Sequence, residues 1–445
     1  MRFKQFTVLL ILLLILPLFL NLGLTAKAVT TQTSPSLYFG VDVAFGSIAA
    51  TEQLIDTVSS YTNFFLIGCT GDNNLTRLTI ISQYVYNKGL SFIVYTNSPR
   101  YPSSQWLEDA KNNYGNSFLG IYYYDEPGGK QLDQHDYPMV TAANIDVAKE
   151  NYSDVANQYV NSVNWYLRGG PYAITHYFAN PTEFELFTSD YALYWYDYEA
   201  GYDTVFAEFG WNYSRQLNID LCRGAATLQN RDWGVIITWT YTQPPYMESG
   251  PELYKDMVLA YENGAKYINV FDTDQNYTQN VLQQGQLDAM KQFWQYVQAN
   301  PRTISPVSDR TAYVLPEDYG YGFRGPQDKI WGLWPNDSLT FNICQGLAMV
   351  MGKYGNNLDI VYPDGSQPVE SAGYQDVINW NDTTLIASIS ATPSPQSQQN
   401  TSLPFYATSV SLSAIAASII AAVSITFLKF RKRNGNFDQK SHFPK

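Results

Sequence analysis

Carboxylate side chains recur at the ends of short apolar segments of this chain, where they could carry out acid–base chemistry. Six of them directly end or follow β-branched or aromatic runs, namely Asp42, Asp125, Glu126, Asp190, Glu208 and Asp272. Repulsion between carboxylates that share one site raises some of their pKa values, as a general acid requires. The chain has only three cysteines and three histidines and no C-x-x-C motif, which excludes a zinc ribbon or an iron–sulfur site. We therefore expect carboxylate chemistry without a metal or a cofactor.

Aromatic residues crowd the same segment ends and make up 16% of the chain. Flat apolar faces beside hydrogen-bonding carboxylates suit a pyranose ring, which has an apolar C–H face and a rim of hydroxyl groups. Such rings also fill barrel interiors, and we expect half of them to belong to the core. Substrate-binding roles are predicted for Asp42, Asp125, Tyr124, Trp211, Trp239 and Asp272.

Eight strand–helix units must position these side chains. The predicted strands are Tyr38–Val43, Phe64–Ile67, Ser91–Tyr95, Phe118–Tyr124, Phe184–Thr188, Thr204–Phe209, Trp233–Thr240 and Lys266–Phe271, with Tyr172–Tyr177 as the alternative fifth strand. Each precedes a helix-length segment, and the longest insertion is a helical stretch around 142–166. Strict alternation predicts parallel strands with right-handed crossovers. Eight units within residues 37–300 predict an α/β (β/α)₈ TIM barrel; an open doubly wound sheet is the alternative, because periodicity does not show closure.

Behind the barrel, residues 301–385 are predicted to form a small α/β accessory domain. Its elements are strands at Thr311–Leu315, Leu358–Tyr362 and near Val377–Trp380, and a helix at Asn342–Met351. The same region contains Gly320-Tyr-Gly-Phe-Arg-Gly325, a formal match to the dinucleotide-binding glycine pattern. That pattern must open a helix directly, whereas Pro326, Gln327 and Asp328 follow here. A flexible turn is therefore the preferred interpretation.

The two ends of the chain predict its location. Residues 1–28 have the layout of a secretory signal peptide, with an uncleaved anchor as the alternative. Residues 386–402 form a Pro/Ser/Gln-rich stalk, 403–428 an uncharged transmembrane helix and 429–445 a basic tail, which the positive-inside rule places in the cytoplasm. We expect a single-pass cell-membrane protein that contacts the lipid bilayer through this helix and exposes its N-terminal body outside. Glycosylation sequons begin at Asn74, Asn151, Asn212, Asn276, Asn336, Asn381 and Asn400. The net charge of −13 argues against a nucleic-acid partner.

Three segments resemble the strand ends of barrel glycoside hydrolases. They are Gly120-Ile-Tyr-Tyr-Tyr-Asp-Glu-Pro127, where a carboxylate precedes proline at the end of strand four, Phe187–Tyr198 and Phe206–Asn212. With the small α/β domain behind the barrel, the architecture of residues 37 to 380 is similar to that of glycosidases with an accessory domain. The motifs are weakly specific and indicate no particular family.

This resemblance implies two carboxyl groups, one protonated to assist the leaving oxygen and one ionised. Glu126 is the predicted acid, because it ends an apolar, Tyr-rich strand where desolvation raises a carboxyl pKa. Glu208 is the predicted partner and Asp190 the second choice. In the commonest pattern of such barrels the partner ends strand seven, but no acid follows that strand here until Glu248.

Two functions therefore remain open at the level of the sequence. The first is a surface-anchored glycoside hydrolase that acts on extracellular or envelope glycans through paired carboxylates. The second is a non-catalytic carbohydrate-binding or cell-envelope structural protein on a barrel scaffold. Fold alone does not separate them, since barrels host many activities.

Overall fold

The computed structural model of the protein describes residues 35–384, except 45, 69–73, 99, 172, 178–183, 364–367 and 383. The predicted signal peptide, stalk, transmembrane helix and cytoplasmic tail lie outside these residues. Within the described ranges, no helix is both long enough and apolar enough to cross a membrane.

Eight parallel strands form a closed barrel, which confirms the predicted TIM barrel and excludes the open sheet. Strand β1 pairs with both β2 and β8, and this pairing closes the sheet. The strands are β1 (Tyr38–Val43), β2 (Phe64–Ile67), β3 (Ser91–Thr96), β4 (Phe118–Tyr123), β5 (Glu185–Asp190), β6 (Thr204–Phe209), β7 (Asp232–Ile237) and β8 (Tyr267–Phe271). The fifth strand is thus the later of the two candidate segments, and Ile174–Tyr177 of the earlier one forms a 3₁₀ turn.

Aromatic side chains fill the barrel interior. Alternate residues of a strand point to opposite faces, so every second residue enters the interior. The rings of Tyr38 and Tyr267 stack there with centroids 4.9 Å apart. The interior cluster consists of Tyr38, Phe64, Leu66, Ile93, Tyr122, Phe187, Phe206, Ile236 and Tyr267. These residues form a packed floor, and polar side chains further along the strands, such as Ser189 and Glu208, form the barrel mouth.

Ten α-helices are found in the described part of the chain. They are α1 (Ile48–Val58), α2 (Leu75–Asn87), α3 (Ser104–Tyr114), α4 (Pro127–Asp133), α5 (Tyr152–Asn164), α6 (Tyr194–Ala200), α7 (Arg215–Leu228), α8 (Gly250–Glu262), α9 (Gln284–Ala299) and α10 (Ser338–Tyr354). The prediction of one helical stretch around 142–166 was wrong for residues 142–151. Helix α5 begins at Tyr152, where the Asn151 side chain caps its first turn. The short helix α4 was not predicted, although Pro127 favours a helix start at its first position.

Five further strands follow the barrel along the chain, namely β9 (Thr311–Val314), β10 (Lys329–Ile330), β11 (Trp334–Pro335), β12 (Leu358–Val361) and β13 (Asp376–Asn379). Three of them form a small parallel sheet in the order β12-β9-β13. The predicted βαβ elements of this region are therefore present, while the predicted domain limits at 301 and 385 stay a prediction. The segment 320–325 leads into the β10–β11 hairpin and not into a helix, in agreement with the turn interpretation.

A buried ion-pair network fixes this sheet to the barrel helix α7. The Arg223 guanidinium donates to Asp359 Oδ1 at 2.7 Å and to the carbonyl oxygen of Leu358 at 2.6 Å. Arg310 donates to Asp359 Oδ2, also at 2.7 Å. Both arginines and Asp359 are buried, so each charge has its partner out of water. Since α7 follows β6, the sheet is held beside the strand that carries Glu208.

Candidate functional site

The carboxyl groups of Glu126 and Glu208 meet at the carboxyl-terminal mouth of the barrel. Glu126 stands between β4 and α4, Glu208 lies within β6, and each carboxyl group acts on the pKa of the other. The Glu208 residue is 7% exposed, whereas the Glu126 side chain is 31% exposed. Neighbouring carboxylates repel each other, which favours the protonated form of one of them. The structure thus brings together the two residues with the predicted catalytic roles.

The backbone of Glu126 adopts a left-handed conformation, with φ 53° and ψ 48°. This conformation is costly for a residue with a side chain and persists where the surroundings impose it. Here the Glu126 N–H donates to the Ser189 carbonyl at 3.1 Å, and its own carbonyl accepts from the Lys130 N–H at 3.0 Å. These bonds tie the residue to β5 on one side and to α4 on the other, and they set the direction of its side chain.

Asp190 supports the same turn. Its carboxylate accepts backbone N–H bonds from Gly128 at 2.5 Å, Gly129 at 2.8 Å, Tyr191 at 2.8 Å and Ala192 at 3.1 Å. Gly128 must lack a side chain, since a Cβ atom there would lie 2.6 Å from the Ala192 carbonyl oxygen. The carboxylate of Asp190 therefore caps the amino-terminal end of α4, where the helix dipole favours negative charge.

Asp190 ends β5, as predicted, but its surroundings differ from those of the carboxyl pair. Asp190 is fully buried and its oxygens accept from backbone donors. Its role as the second choice for the catalytic partner stays a prediction. Helix α6 begins at Tyr194 without a side-chain cap.

A chain of hydroxyl groups holds Glu208. The Ser189 hydroxyl donates to Glu208 Oε1 at 2.6 Å, and the Tyr122 hydroxyl lies 2.8 Å from Ser189 Oγ. Tyr122 also donates a short hydrogen bond to Asp125. The Lys130 ammonium lies 4.0 Å from carboxylate oxygens of both Asp125 and Glu126 and donates to the Asp125 carbonyl. Glu208 is thus rigidly supported, while Glu126 faces the cleft.

The protonation equilibria of the pair are shifted upward. Burial, followed by the charge of Asp125, raises the pKa of Glu126 to about 8, against an opposing effect of Lys130. Burial and the neighbouring Glu126 raise the pKa of Glu208 well above its usual value. The Ser189 hydrogen bond acts against this rise in the pKa of Glu208, because it stabilises the ionised form. A carboxyl group that is protonated near neutral pH is available as a general acid.

Asp42 and Asp272 end neighbouring strands but have different environments. Asp42 is 7% exposed, and among the described residues its carboxyl group makes no hydrogen bond. Asp272 Oδ1 accepts from the N–H groups of Val281 and Leu282 at 2.6 and 2.7 Å, which fixes the loop after β8. Burial raises the pKa of Asp272 to about 6. Asp272 thus holds this loop through Oδ1, while its Oδ2 has no hydrogen-bond partner among the described residues, and its predicted substrate contact stays a prediction.

Aromatic rings line the mouth on the β7–β8 side. The Trp239 ring packs against Phe271 at 5.5 Å and Tyr277 at 6.4 Å, and its indole N–H donates to the Thr273 carbonyl at 2.8 Å. Tyr277 is 44% exposed. Burial raises the pKa of Tyr277, and the charges of Asp125, Glu126 and Asp42 raise it further. The predicted substrate contact Trp239 is thus part of an exposed aromatic surface beside the pair.

The other two predicted aromatic contacts differ from each other. Trp211 is half-buried two residues after β6, and its backbone N–H donates to the Trp239 carbonyl at 2.9 Å, which joins the loops after β6 and β7. The ring of Tyr124 stacks on Tyr166 at 5.6 Å, and its hydroxyl donates to the Tyr137 carbonyl at 3.1 Å. These contacts direct Tyr124 away from the carboxyl pair.

Three residues of the site were not identified from the sequence. Ser189 follows the inward-facing Phe187 by two residues, so strand alternation could have revealed it. Lys130 lies four residues after Glu126, a spacing that brings side chains together once α4 is known to begin at Pro127. Tyr277 lies in the loop after β8, and nothing in its sequence surroundings predicts its position.

The donor set of the mouth suits proton transfer better than metal binding. Within the described ranges, no group of three or more His, Cys, Asp or Glu side chains is arranged to hold a metal ion. Carboxyl oxygens of the site accept from hydroxyl groups, as the Ser189–Glu208 bond illustrates. An arrangement of this kind can donate one proton and present one ionised oxygen to a bound molecule.

Fold and site together define an α/β barrel with a carboxyl pair and aromatic walls at its mouth. No protein-family model and no curated protein matches the sequence. Solved barrel structures similar to this chain include a β-mannanase from the blue mussel Mytilus edulis, at 10% identity and a TM-score of 0.36 over 60% of this chain and 92% of that one. A GH128 endo-β-1,3-glucanase from Sorangium cellulosum has 10% identity and a TM-score of 0.31 over 57% and 98%.

A D-allulose 3-epimerase from a Methylomonas species has 8% identity and a TM-score of 0.36, over 59% of this chain and 96% of its own. Two of these three barrels are glycoside hydrolases, the class that the sequence resembles. An epimerase scores as high as a glucanase, however, so similarity at this level says nothing about the reaction. The reaction has to be inferred from the site itself.

Proposed function

We propose that the protein is a glycoside hydrolase that acts on glycans through Glu126 and Glu208. The observation that carries this proposal is the position of these two carboxyl groups at one barrel mouth, where each acts on the pKa of the other beside aromatic rings. A glycosidase needs one protonated and one ionised carboxyl group on either side of the bond that it cleaves. The raised pKa of Glu126 meets the first requirement, and Trp239 and Tyr277 offer flat faces for a sugar ring.

The surroundings of the two side chains favour distinct roles. Glu126 is the proton donor, because its side chain is the more exposed of the two and its pKa of about 8 keeps it protonated at neutral pH. Glu208 is the ionised partner, because Ser189 donates to its carboxylate at 2.6 Å. We further propose a retaining mechanism, in which Glu208 attacks the sugar, because the mutual effect of the two carboxyl groups on their pKa values indicates that they are near neighbours. Inverting enzymes separate their carboxyl groups by roughly 6.5–9.5 Å to admit a water molecule.

Hydrolysis of defined polysaccharides by the full-length protein tests this proposal. The substrates are β-mannan, β-1,3-glucan, cellulose and xylan, and the readout is released reducing sugar. We expect Glu126→Gln to lower turnover roughly 10²- to 10⁴-fold, the usual contribution of a general acid. Glu108→Gln is the matched control, because Glu108 is exposed on α3 and lies outside the site. It should keep full activity.

A second variant assigns the roles. Glu208→Ala removes the nucleophile, and added azide should restore turnover by occupying its place and forming a glycosyl azide. Retention of the anomeric configuration, followed by NMR of the first product, is expected for the unmodified protein. Equal turnover by Glu126→Gln and the unmodified protein would contradict the proposal. Tight glycan binding by the unmodified protein without any turnover would support the non-catalytic carbohydrate-binding alternative.

We also propose that this barrel is displayed on the outer face of a cell membrane. The support is the sequence pattern of residues 1–28 and 403–433, an apolar segment at each end with a basic stop after the second. The six sequon asparagines among the described residues are all exposed, as glycan attachment requires. A protease-accessibility assay on intact cells with an epitope tag at each end tests this topology. Loss of the C-terminal tag on intact cells would contradict it.

A further inference from the structure

The carboxyl group of Asp42 has an unusual environment at the floor of the mouth. Asp42 is 7% exposed, and no hydrogen bond to its side chain exists among the described residues. Its backbone is fully used, since its carbonyl accepts the Asp272 N–H at 2.8 Å and its strand pairs with β2 and β8. Among the described residues, neither carboxyl oxygen of Asp42 is a fully enclosed atom without a partner, so the unpaired group is open to the mouth, where a ligand can complete it.

The groups that face Asp42 are acidic or phenolic. Asp125 is the charged group that acts on it, and the hydroxyl groups of Tyr95 and Tyr277 lie near the same carboxylates. Its strand partners Leu66 and Phe271 are apolar. The neighbouring Asp272 is occupied by the backbone N–H groups of the β8 loop. Among the described residues no basic side chain pairs with Asp42.

An ionised Asp42 would be unfavourable in these surroundings. Burial and the charge of Asp125 raise the pKa of Asp42 well above its usual range. A neutral carboxylic acid, unlike a carboxylate, has one O–H donor. A protonated carboxyl group in an apolar site can act as a hydrogen-bond donor to a substrate oxygen.

We propose that Asp42 is a neutral carboxylic acid that donates a hydrogen bond to a hydroxyl oxygen of the pyranose bound between Tyr277 and the Glu126–Glu208 pair. Asp42 is thereby a specificity-determining residue and not a member of the catalytic pair. The inference rests on the proposed function for its ligand but not for its protonation state. Because the donor is lost on ionisation, sugar binding weakens as the pH rises through the pKa of Asp42.

Infrared difference spectroscopy tests the protonation state without any ligand. The spectrum of the full-length protein minus that of Asp42→Asn at pH 7 should contain the carbonyl band of a protonated carboxylic acid. The band should disappear as the pH is raised. A difference spectrum with only carboxylate bands at pH 7 would overturn the inference.

Binding of neutral oligosaccharides tests the donor role. Binding is measured by calorimetry in the Glu126→Gln background, with manno- and gluco-hexasaccharides as probes, so that turnover is not needed. Asn keeps an N–H donor at this position, so Asp42→Asn should bind within threefold of its parent and without the loss at high pH. Asp42→Ala should bind at least tenfold more weakly at pH 7.

Each contrary result has a distinct meaning. If Asp42→Asn and Asp42→Ala weaken sugar binding equally, the carboxylate itself is needed for binding. If neither substitution weakens sugar binding, Asp42 does not contact the sugar. Either result overturns the inference. If neither hexasaccharide binds to the parent, the proposed function and the ligand part of this inference fail together. The infrared band then decides the protonation state alone.

Discussion

The Ser189 hydroxyl donates to the Glu208 carboxylate at 2.6 Å, and this bond crosses from β5 to β6 at the barrel mouth. This bond stabilises the ionised form of Glu208 and opposes the rise of its pKa that burial and Glu126 cause. The Tyr122 hydroxyl, 2.8 Å from Ser189 Oγ, extends the chain to Asp125. Glu208 is therefore held by a network of hydroxyl groups, and Glu126 has the freedom to approach a ligand.

Ser189→Ala should impair catalysis by raising the pKa of Glu208 further. The ionised carboxylate loses a charge-assisted hydrogen bond, which is worth roughly 1.5–3 kcal/mol. We expect kcat to fall roughly 10- to 100-fold and the acidic limb of the pH–rate profile to move to higher pH. Steady-state kinetics from pH 4 to 9 measures both effects.

Ser82→Ala is the matched control for this substitution. Ser82 is equally buried, and its hydroxyl has no hydrogen-bond partner among the described residues, so the same atom is removed without loss of a bond. Its profile should match that of the unmodified protein. If Ser189→Ala lowered kcat without any shift of the acidic limb, the effect of Ser189 on Glu208 would not be electrostatic.

The pKa of Glu126, about 8, predicts how activity depends on pH. Activity should decrease as the pH rises through about 8, because Glu126 loses the proton that assists the leaving group. The residual activity of Glu126→Gln should not show this decrease at alkaline pH. If the pH–rate profile of the variant still shows the decrease, the proton belongs to another group.

The raised pKa of Glu126 also predicts how the free energy of unfolding depends on pH. Since the folded-state pKa of Glu126 lies above the unfolded value of 4.5, the folded protein binds more protons between these two values. Its free energy of unfolding should therefore fall as the pH rises from 4.5 to 8. Glu126→Gln should flatten this dependence. Thermal unfolding of the two proteins across this range measures the difference, and parallel curves would contradict the prediction.

Asp190→Asn should destabilise the protein, because its carboxylate accepts four backbone N–H groups at the start of α4. An amide offers one acceptor oxygen in place of two, so buried N–H groups lose partners at about 1–3 kcal/mol. The melting temperature should fall by several degrees, while Asp109→Asn, an exposed substitution on α3, should leave it unchanged. A loss of activity without a loss of stability would instead restore Asp190 as a catalytic residue.

Strand alternation separates the parts of the site that the sequence predicts well from those that it does not. The barrel and its strands follow from local apolar runs, and the positions of Glu126 and Glu208 follow from strand ends. Asp190 and Asp272 also end strands, but each lies one residue beyond an inward-facing position and turns toward the helices. Strand alternation therefore places Glu208, two residues after the interior Phe206, on the inward face of the barrel. It places Asp190, three residues after the interior Phe187, on the outward face.

Other features depended on tertiary contacts that no local pattern contains. The short helix α4 positions Lys130, yet two glycines near its start lower its helix propensity. Its stability comes from Asp190, which is 62 residues away along the chain from Gly128. Tyr124 and Tyr277 are similar aromatic residues near strand ends, but contacts with Tyr166 turn the first away from the mouth.

The charges of the mouth predict discrimination between glycans. Four carboxyl groups converge there, and with Asp42 neutral and Glu126 protonated, as proposed above, Asp125 and Glu208 carry the negative charge against one contacting base, Lys130. Uronic acid or sulfate groups on a sugar would be repelled by the excess of carboxylates, and this repulsion weakens with salt.

We expect oligosaccharides with carboxylate or sulfate groups to bind to Glu126→Gln protein at least tenfold more weakly than neutral ones of the same length. The gap should narrow between 10 mM and 500 mM salt, and Asp125→Asn should narrow it at low salt. Calorimetric titration measures these affinities, and equal binding of neutral and anionic sugars at low salt would show that the mouth does not select by charge.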